Sequence, residues 1–247
     1  MFLFQSPPPT RFDLNFSIAG IPIRVHPMFW LLAALLGFGS GQVLIWVFVV
    51  FFSIVIHEIG HALAFRFHGQ ESSIVLHMMG GLTIPDTVRW GNDRANVTLS
   101  PNQQIFVSLA GPFAGFIFAG LVIGAVILAG GSIAVTFFLG FIPIPQLASL
   151  PVGTNAIRIF IFMLLWVNVF WGLINLLPVF PLDGGQVARN ILIQYDPWDG
   201  ARKSLWLSVI TGAVVALASY ILLGSFYMAF LFGILAFQSY QALQGPY

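Results

Sequence analysis

Long apolar stretches separated by short polar ones dominate the chain. Most of them approach or exceed the ~20 residues that cross a bilayer as a helix. They predict an all-α multi-pass membrane protein with about six transmembrane helices. The apolar stretches cover approximately residues 21–39, 43–67, 105–129, 133–150, 157–177, 205–223 and 226–243.

Two stretches break the helical pattern. Pro143 and Pro145 interrupt residues 133–150, so we expect a bent or re-entrant hairpin there and count the other six stretches as crossings. After the second crossing, β-branched residues flank Gly80 and Gly81, which predicts a short membrane-associated β-hairpin or loop. Irregular backbone at this depth must be buried in protein or face water.

The composition narrows the class of protein. Hydrophobic residues make up 58% of the 247 positions and charged residues 7%, against roughly 25% charged residues in soluble domains. A net charge of +1 argues against nucleic acid as a partner, and the lack of cysteine excludes disulfides and thiolate chemistry. We expect a single membrane-embedded domain over residues 1–247 and no separate soluble domain.

Basic residues are distributed unevenly between the two faces that six crossings define. Only Arg158 falls on one face, so the positive-inside rule makes the other face cytoplasmic. We therefore expect both termini in the cytoplasm and a prokaryotic cytoplasmic membrane as the location. The basic residues of the cytoplasmic face are Arg11, Arg24, Arg66, Arg89, Arg94, Arg189, Arg202 and Lys203.

The second apolar stretch contains His57-Glu58-Ile59-Gly60-His61. On a helix the two imidazoles share one face and suit two corners of a tetrahedral zinc site, while Glu58 can reach a water at the metal. Charged groups at this depth cost about 2.5 to 3.5 kcal/mol each, which favours a functional site. The alternative is a hydrogen-bonded pair of core histidines with Glu58 extending to the membrane surface.

Asp183 is the leading carboxylate for a third ligand. It follows a segment in which prolines and glycines break the helix at the end of a crossing. Such a break can turn a carboxylate inward. The alternative is an interfacial turn with a solvated aspartate.

Together these segments resemble the site-2 protease family of intramembrane metalloproteases. His57-Glu58-x-x-His61 is followed by Asn175-x-x-Pro178-x-x-x-x-Asp183-Gly184. Ala110-Gly111-Pro112 and the opening segment at residues 20–26 are also similar. The resemblance covers roughly residues 16–195, and the two C-terminal helices at about 203–243 carry no motif that matches.

The resemblance implies a zinc-dependent intramembrane endopeptidase that cleaves transmembrane segments of other proteins in the bilayer, in a minimal form without a PDZ or CBS domain. His57, His61 and Asp183 would bind one zinc per chain, with Glu58 as the catalytic base. Asn175 and Pro178 would line the substrate cleft, with Asn175 also a candidate to stabilise the oxyanion. Gly80 and Gly81 would belong to an edge that pairs with unwound substrate.

Two other functions are compatible with an intramembrane metal site. A non-proteolytic zinc-binding scaffold is expected to have lost one of the site residues, yet all are present. A metal or ion transporter is expected to spread polar residues along several helices, whereas here they concentrate at one depth. His26, His68 and His77 are expected to be interfacial or structural.

Overall fold

A computed structural model of the chain describes residues 6–86, 98–140, 142–151 and 153–244. A π-helical turn, Val167–Trp171, lies between the helices Asn155–Trp166 and Gly172–Asn175. The helices are α1 (Pro27–Gly37), α2 (Val43–Phe67), α3 (Pro101–Leu128), α4 (Asn155–Trp166), α5 (Gly172–Asn175), α6 (Asp183–Tyr195), α7 (Gly200–Leu223) and α8 (Phe226–Gln244). The strands are β1 (Leu14–Ile18), β2 (Ile21–Val25), β3 (Ser72–His77), β4 (Gly80–Pro85), β5 (Ser132–Phe138) and β6 (Ile142–Ser149).

The chain divides into two compact units, which are described separately. Among the described residues, unit A consists of 6–86 and 110–173, without 141 and 152, and contains every described strand. Unit B consists of described residues 98–109 and 174–244 and contains α6, α7 and α8.

Five helical segments in the described part of the chain are long and apolar enough to cross a membrane. They account for five of the six predicted crossings and confirm a multi-pass membrane protein. These segments are Val43–Phe67, Pro101–Leu128, Asn155–Asn175, Gly200–Leu223 and Phe226–Gln244.

The first predicted crossing has a different form. It consists of strand β2 followed by the short helix α1, because Pro27 occupies the first turn of α1 and prevents the helix from extending upstream. The His26 side chain caps α1 by accepting a hydrogen bond from the Met28 N–H. Strand and helix together supply ~33 Å of chain, comparable to a ~30 Å hydrocarbon core.

A four-stranded sheet in unit A has the order β1-β2-β3-β4. Strands β3 and β4 pair antiparallel, with Ile74 opposite Thr83 and Leu76 opposite Gly81, which confirms the predicted hairpin after α2. Apolar side chains of β2 and β3 pack on α2 and close this core. Its buried members include Ile21, Ile23, Val25, Ile74, Leu76, Val55 and Ala62.

The second irregular stretch is an antiparallel ribbon of β5 and β6. Pro143 lies opposite Phe137 and Pro145 opposite Val135. Proline has no N–H to donate to a neighbouring strand, so within sheets it is restricted to edge strands such as β6. The expected bent hairpin is thus formed by strands, and the fold is mostly helical with two small sheets.

Close helix packing organises unit B. A Cβ added to Gly212 of α7 would lie 3.1 Å from the Ala236 Cβ of α8, so glycine permits close contact there. The Phe180 N–H donates to Ser208 Oγ of α7 over 3.0 Å, which ties the segment before α6 to α7.

Candidate active site

Helix α2 places the two motif histidines one turn apart on the same face. Their Nε2 atoms are 3.1 Å apart. Two nitrogens bound to a tetrahedral zinc at 2.0–2.1 Å would be separated by roughly 3.3 Å. The spacing of His57 and His61 therefore fits two corners of one metal site.

Gly111 of α3 leaves room in front of these imidazoles. A Cβ at position 111 would overlap His61 Nε2 and would lie 2.8 Å from His57 Nε2. This explains why glycine stands at the centre of the Ala110-Gly111-Pro112 motif: any side chain there would occupy the space next to the Nε2 atoms of both imidazoles.

Glu58 is buried, with 5% of its surface exposed. The Thr83 hydroxyl lies 2.7 Å from Glu58 Oε2 and donates to this carboxylate, and it also lies 3.1 Å from the Glu58 carbonyl oxygen. A buried carboxylate needs such a partner, because unpaired burial is costly. The sequence did not predict Thr83, because its contact with Glu58 depends on how strand β4 approaches α2.

Strand β4 brings the two predicted glycines near Glu58. A Cβ at position 81 would overlap the Glu58 side chain, so Gly81 lets the strand pass directly beside the carboxylate. Gly80 has a φ of +121°, a backbone conformation that favours glycine. Among the described strands, β4 forms an edge of its sheet.

In unit B, Asp183 is the first residue of α6 and Asn175 the last residue of α5. Asn175 Nδ2 donates to Asp183 Oδ2 over 2.8 Å. Asn175 therefore orients Asp183, and half-buried Pro178 lies in the non-helical segment between them.

Two glycines explain why Asp183 begins a helix at this point. A Cβ at Gly184 would overlap the Leu176 carbonyl oxygen, and one at Gly185 would lie 2.5 Å from the Phe180 nitrogen. The first turn of α6 can therefore pack against the segment that follows Asn175 only with glycines in these positions.

The donor chemistry suits zinc. His57 and His61 of unit A each offer one imidazole nitrogen, and Asp183 of unit B offers one carboxylate oxygen. Two imidazole nitrogens and one carboxylate oxygen are a ligand set found in catalytic zinc sites.

The remaining histidines have structural positions. His26 caps α1, and His68 follows the last residue of α2. His77 Nδ1 accepts from the Met79 N–H over 3.3 Å. Burial lowers the pKa of His77, and the positive charges of His26 and Arg24 lower it further, which favours a neutral ring.

Comparison with known proteins gives consistent results. The chain is 29% identical over 195 residues to a candidate zinc metalloprotease of Synechocystis sp., covering 72% of this chain and 43% of that protein. It is 29% identical over 184 residues to a zinc metalloprotease of Methanocaldococcus jannaschii, covering 72% and 44%. The chain thus spans less than half the length of these two relatives.

The fold also has a counterpart among solved structures. The site-2 protease from Methanocaldococcus jannaschii superposes with a TM-score of 0.56 and 22% identity, covering 96% of this chain and 97% of that one. The sequence profile of peptidase family M50 matches residues 45–218, which include every residue of the two motifs. The resemblance seen in the sequence is thereby confirmed, and the chain belongs to peptidase family M50.

Proposed function

We propose that the protein is a zinc-dependent intramembrane endopeptidase that cleaves transmembrane segments of membrane proteins. The observation that carries the proposal is the His57–His61 pair, spaced for one zinc, next to buried Glu58 within a 25-residue apolar helix. Family membership and the names of the two curated relatives support it.

His57, His61 and Asp183 are the proposed ligands of one zinc per chain. When bound, the metal supplies a Lewis acid and lowers the pKa of water toward 7. Asn175 holds the Asp183 carboxylate in one orientation, as hydrogen bonds to ligating carboxylates commonly do.

Glu58 is the proposed general base. Its carboxylate takes up a proton from the attacking water and later gives it to the leaving amine. The Thr83 hydroxyl fixes Glu58 Oε2 during this transfer, so Thr83 acts as a positioning residue.

Asn175 and Pro178 are proposed to line the substrate cleft. The Asn175 amide carries two N–H donors, one of which is directed at Asp183. An amide beside a metal ligand is also suited to stabilise the negative charge that develops on the scissile carbonyl oxygen.

Strand β4 is the proposed docking edge for unwound substrate. Peptide bonds of a transmembrane helix are shielded by their own hydrogen bonds, so the substrate must unwind before cleavage. An edge strand can take up the freed groups by strand addition. Gly80 and Gly81 lie on this edge, and Gly81 contacts Glu58, so a paired substrate would pass close to the base.

The proposed location is a prokaryotic cytoplasmic membrane with both termini in the cytoplasm. The uneven distribution of basic residues supports this orientation. The expected partners are single-span or multi-span membrane proteins that enter from the bilayer.

The proposal is tested by reconstituting the chain in liposomes with a single-span substrate whose helix is weakened by glycine or proline. We expect mass spectrometry to locate the cut within the span, and 1,10-phenanthroline to abolish it. Cleavage confined to residues outside the span would contradict the intramembrane assignment.

The third ligand is tested with Asp183→Ala, with Asp199→Ala as the matched control because Asp199 is an exposed carboxylate at the start of α7. We expect zinc and activity to be lost only from the Asp183 variant. Equal zinc content in the parent and in both variants would remove Asp183 from the ligand set.

A further inference from the structure

Unit A contains an apolar groove of about 500 Å³. Ligand pockets typically have volumes of roughly 300–1,000 Å³. Side chains of α2, α3 and α4, together with Ala129 and Leu150, line the groove, with no charged residue among them. The lining includes Phe52, Phe118, Val122, Ala125, Phe160 and Leu164.

A smaller pocket of about 250 Å³ adjoins the groove, and Leu150 lines both. The pocket lies between the end of β6 and the start of α4, and Arg158 and Ser149 give it a polar side. The pocket with a polar side and the apolar groove are therefore neighbours that share Leu150 in their lining.

Arg158 gives the smaller pocket an uncompensated positive charge. One guanidinium nitrogen donates to the Leu150 carbonyl oxygen over 2.8 Å. Within the described residues no carboxylate pairs with Arg158, and its side chain is exposed. A guanidinium carries five N–H donors, so the group can also bind a phosphate.

Arg158 and the apolar groove lie at the depths that the headgroup and the acyl chain of a phospholipid occupy in a bilayer. Arg158 is the fourth residue of the 21-residue spanning segment Asn155–Asn175, which places it near a membrane surface. Leu164 lies about 9 Å further along the helix, since each residue rises 1.5 Å. Charge at the interface and apolar lining below it match a headgroup and an acyl chain.

We propose that unit A binds one anionic phospholipid, with its phosphate on Arg158 and an acyl chain in the groove. The charge of Arg158 favours a lipid over a transmembrane helix, because an apolar helix offers no anion at this level. The site is separate from the proposed catalytic residues, and its test measures lipid binding without reference to peptide cleavage.

The test compares binding of dioleoyl phosphatidylglycerol and dioleoyl phosphatidylcholine to the full chain in detergent by native mass spectrometry. We expect one phosphatidylglycerol per chain, bound about tenfold more tightly than phosphatidylcholine. Arg158→Gln should remove this preference, because hydrogen bonds between charged groups are worth about tenfold or more in affinity. Arg158→Lys should keep part of it, since the charge remains without the planar fork.

Two further variants distinguish the contribution of the acyl chain to binding from that of the headgroup. Ala125→Phe fills the groove and should weaken binding of phosphatidylglycerol. Arg202→Gln is the control, because Arg202 is an exposed arginine at the start of α7, and this variant should bind the lipid like the parent. Unchanged binding in Arg158→Gln, or an equal loss in Arg202→Gln, would overturn the proposal.

Competition identifies the source of the anion. Inorganic phosphate should not displace the lipid at concentrations near the dissociation constant of the lipid. Displacement by phosphate with no effect of Ala125→Phe would show a free-anion site, and displacement by an apolar single-span peptide would show a helix site. Either outcome would contradict the lipid assignment.

Discussion

Single residues with no acid–base chemistry of their own control the groups that carry the reaction. Gly111 leaves space at the two imidazoles, and the Thr83 hydroxyl holds the Glu58 carboxylate. Gly81 lets β4 approach the same carboxylate. The geometry of the candidate site therefore depends on neighbours that can be altered without removing any proposed ligand.

Gly111→Ala should lower zinc affinity, because the added methyl group would overlap His61 Nε2. The measurement is zinc per chain after dialysis against graded chelator. Gly120→Ala is the matched control on the same helix, since nothing lies within 4 Å of a Cβ at that position. Zinc retention by Gly111→Ala equal to that of the control would show that the space in front of the imidazoles is not the metal site.

Thr83→Val should lower kcat by about 10- to 100-fold, because a hydrogen bond to a charged group contributes roughly 1.5–3 kcal/mol. Zinc content should stay at the parent level, since the Thr83 hydroxyl donates to Glu58, which is not a proposed zinc ligand. Thr83→Ser keeps the hydroxyl and should recover most of the activity. Parent-like kcat in Thr83→Val would exclude the positioning role.

At this scale the sequence predicted the groups with their own chemistry. His57, Glu58 and His61 are recognisable because their spacing places the two histidines on one face of a helix. Asp183 is recognisable because it follows a helix break. Thr83 was not predicted, because its contact depends on the register of β4 against β3 and on the approach of that hairpin to α2. Neither can be read from one sequence.

Secondary-structure elements determine how a substrate could reach the site. The sequence predicted the hairpin of β3 and β4 from the β-branched residues around Gly80 and Gly81, and the long helices from their apolar length. It did not predict that residues 21–39 form a strand and a short helix, because β2 is stabilised by pairing with β1 and β3 rather than by a local signal. The ribbon of β5 and β6 is likewise a product of pairing.

Strand addition at β4 predicts a two-residue period in substrate binding. Replacing successive substrate amides by esters removes one N–H donor at a time, and only alternate N–H groups face a partner strand. Esters at the paired positions should raise KM by about 2- to 10-fold, and those between them should not. A uniform response along the substrate would contradict pairing with β4.

The molecule as a whole is adapted to lipid. In unit B, apolar side chains of α7 such as Ile210, Val214 and Leu217 are about 60% exposed. Such a surface is stable in a bilayer, where it contacts acyl chains. The same feature made the membrane class the easiest inference from the sequence, since composition and segment length need no tertiary information.

Depth along α7 should decide how the protein tolerates a new charge. Val214→Arg, near the middle of the 24-residue helix, should reduce membrane insertion, because a central arginine costs about 2.5 to 3.5 kcal/mol. Leu222→Arg is equally exposed near the helix end and should insert, since arginine can extend to the interface. Equal insertion yields in a glycosylation-tag assay would contradict a membrane-spanning α7.

The central claim, that Glu58 is the base of a zinc peptidase, is tested most directly by measuring zinc content and cleavage of a single-span substrate in the parent and in Glu58→Gln. We predict about one zinc per chain in both proteins and a fall in kcat of at least ~100-fold in the variant, the usual contribution of a general base. Cleavage by Glu58→Gln at the parent rate, or a folded parent without zinc, would contradict the account.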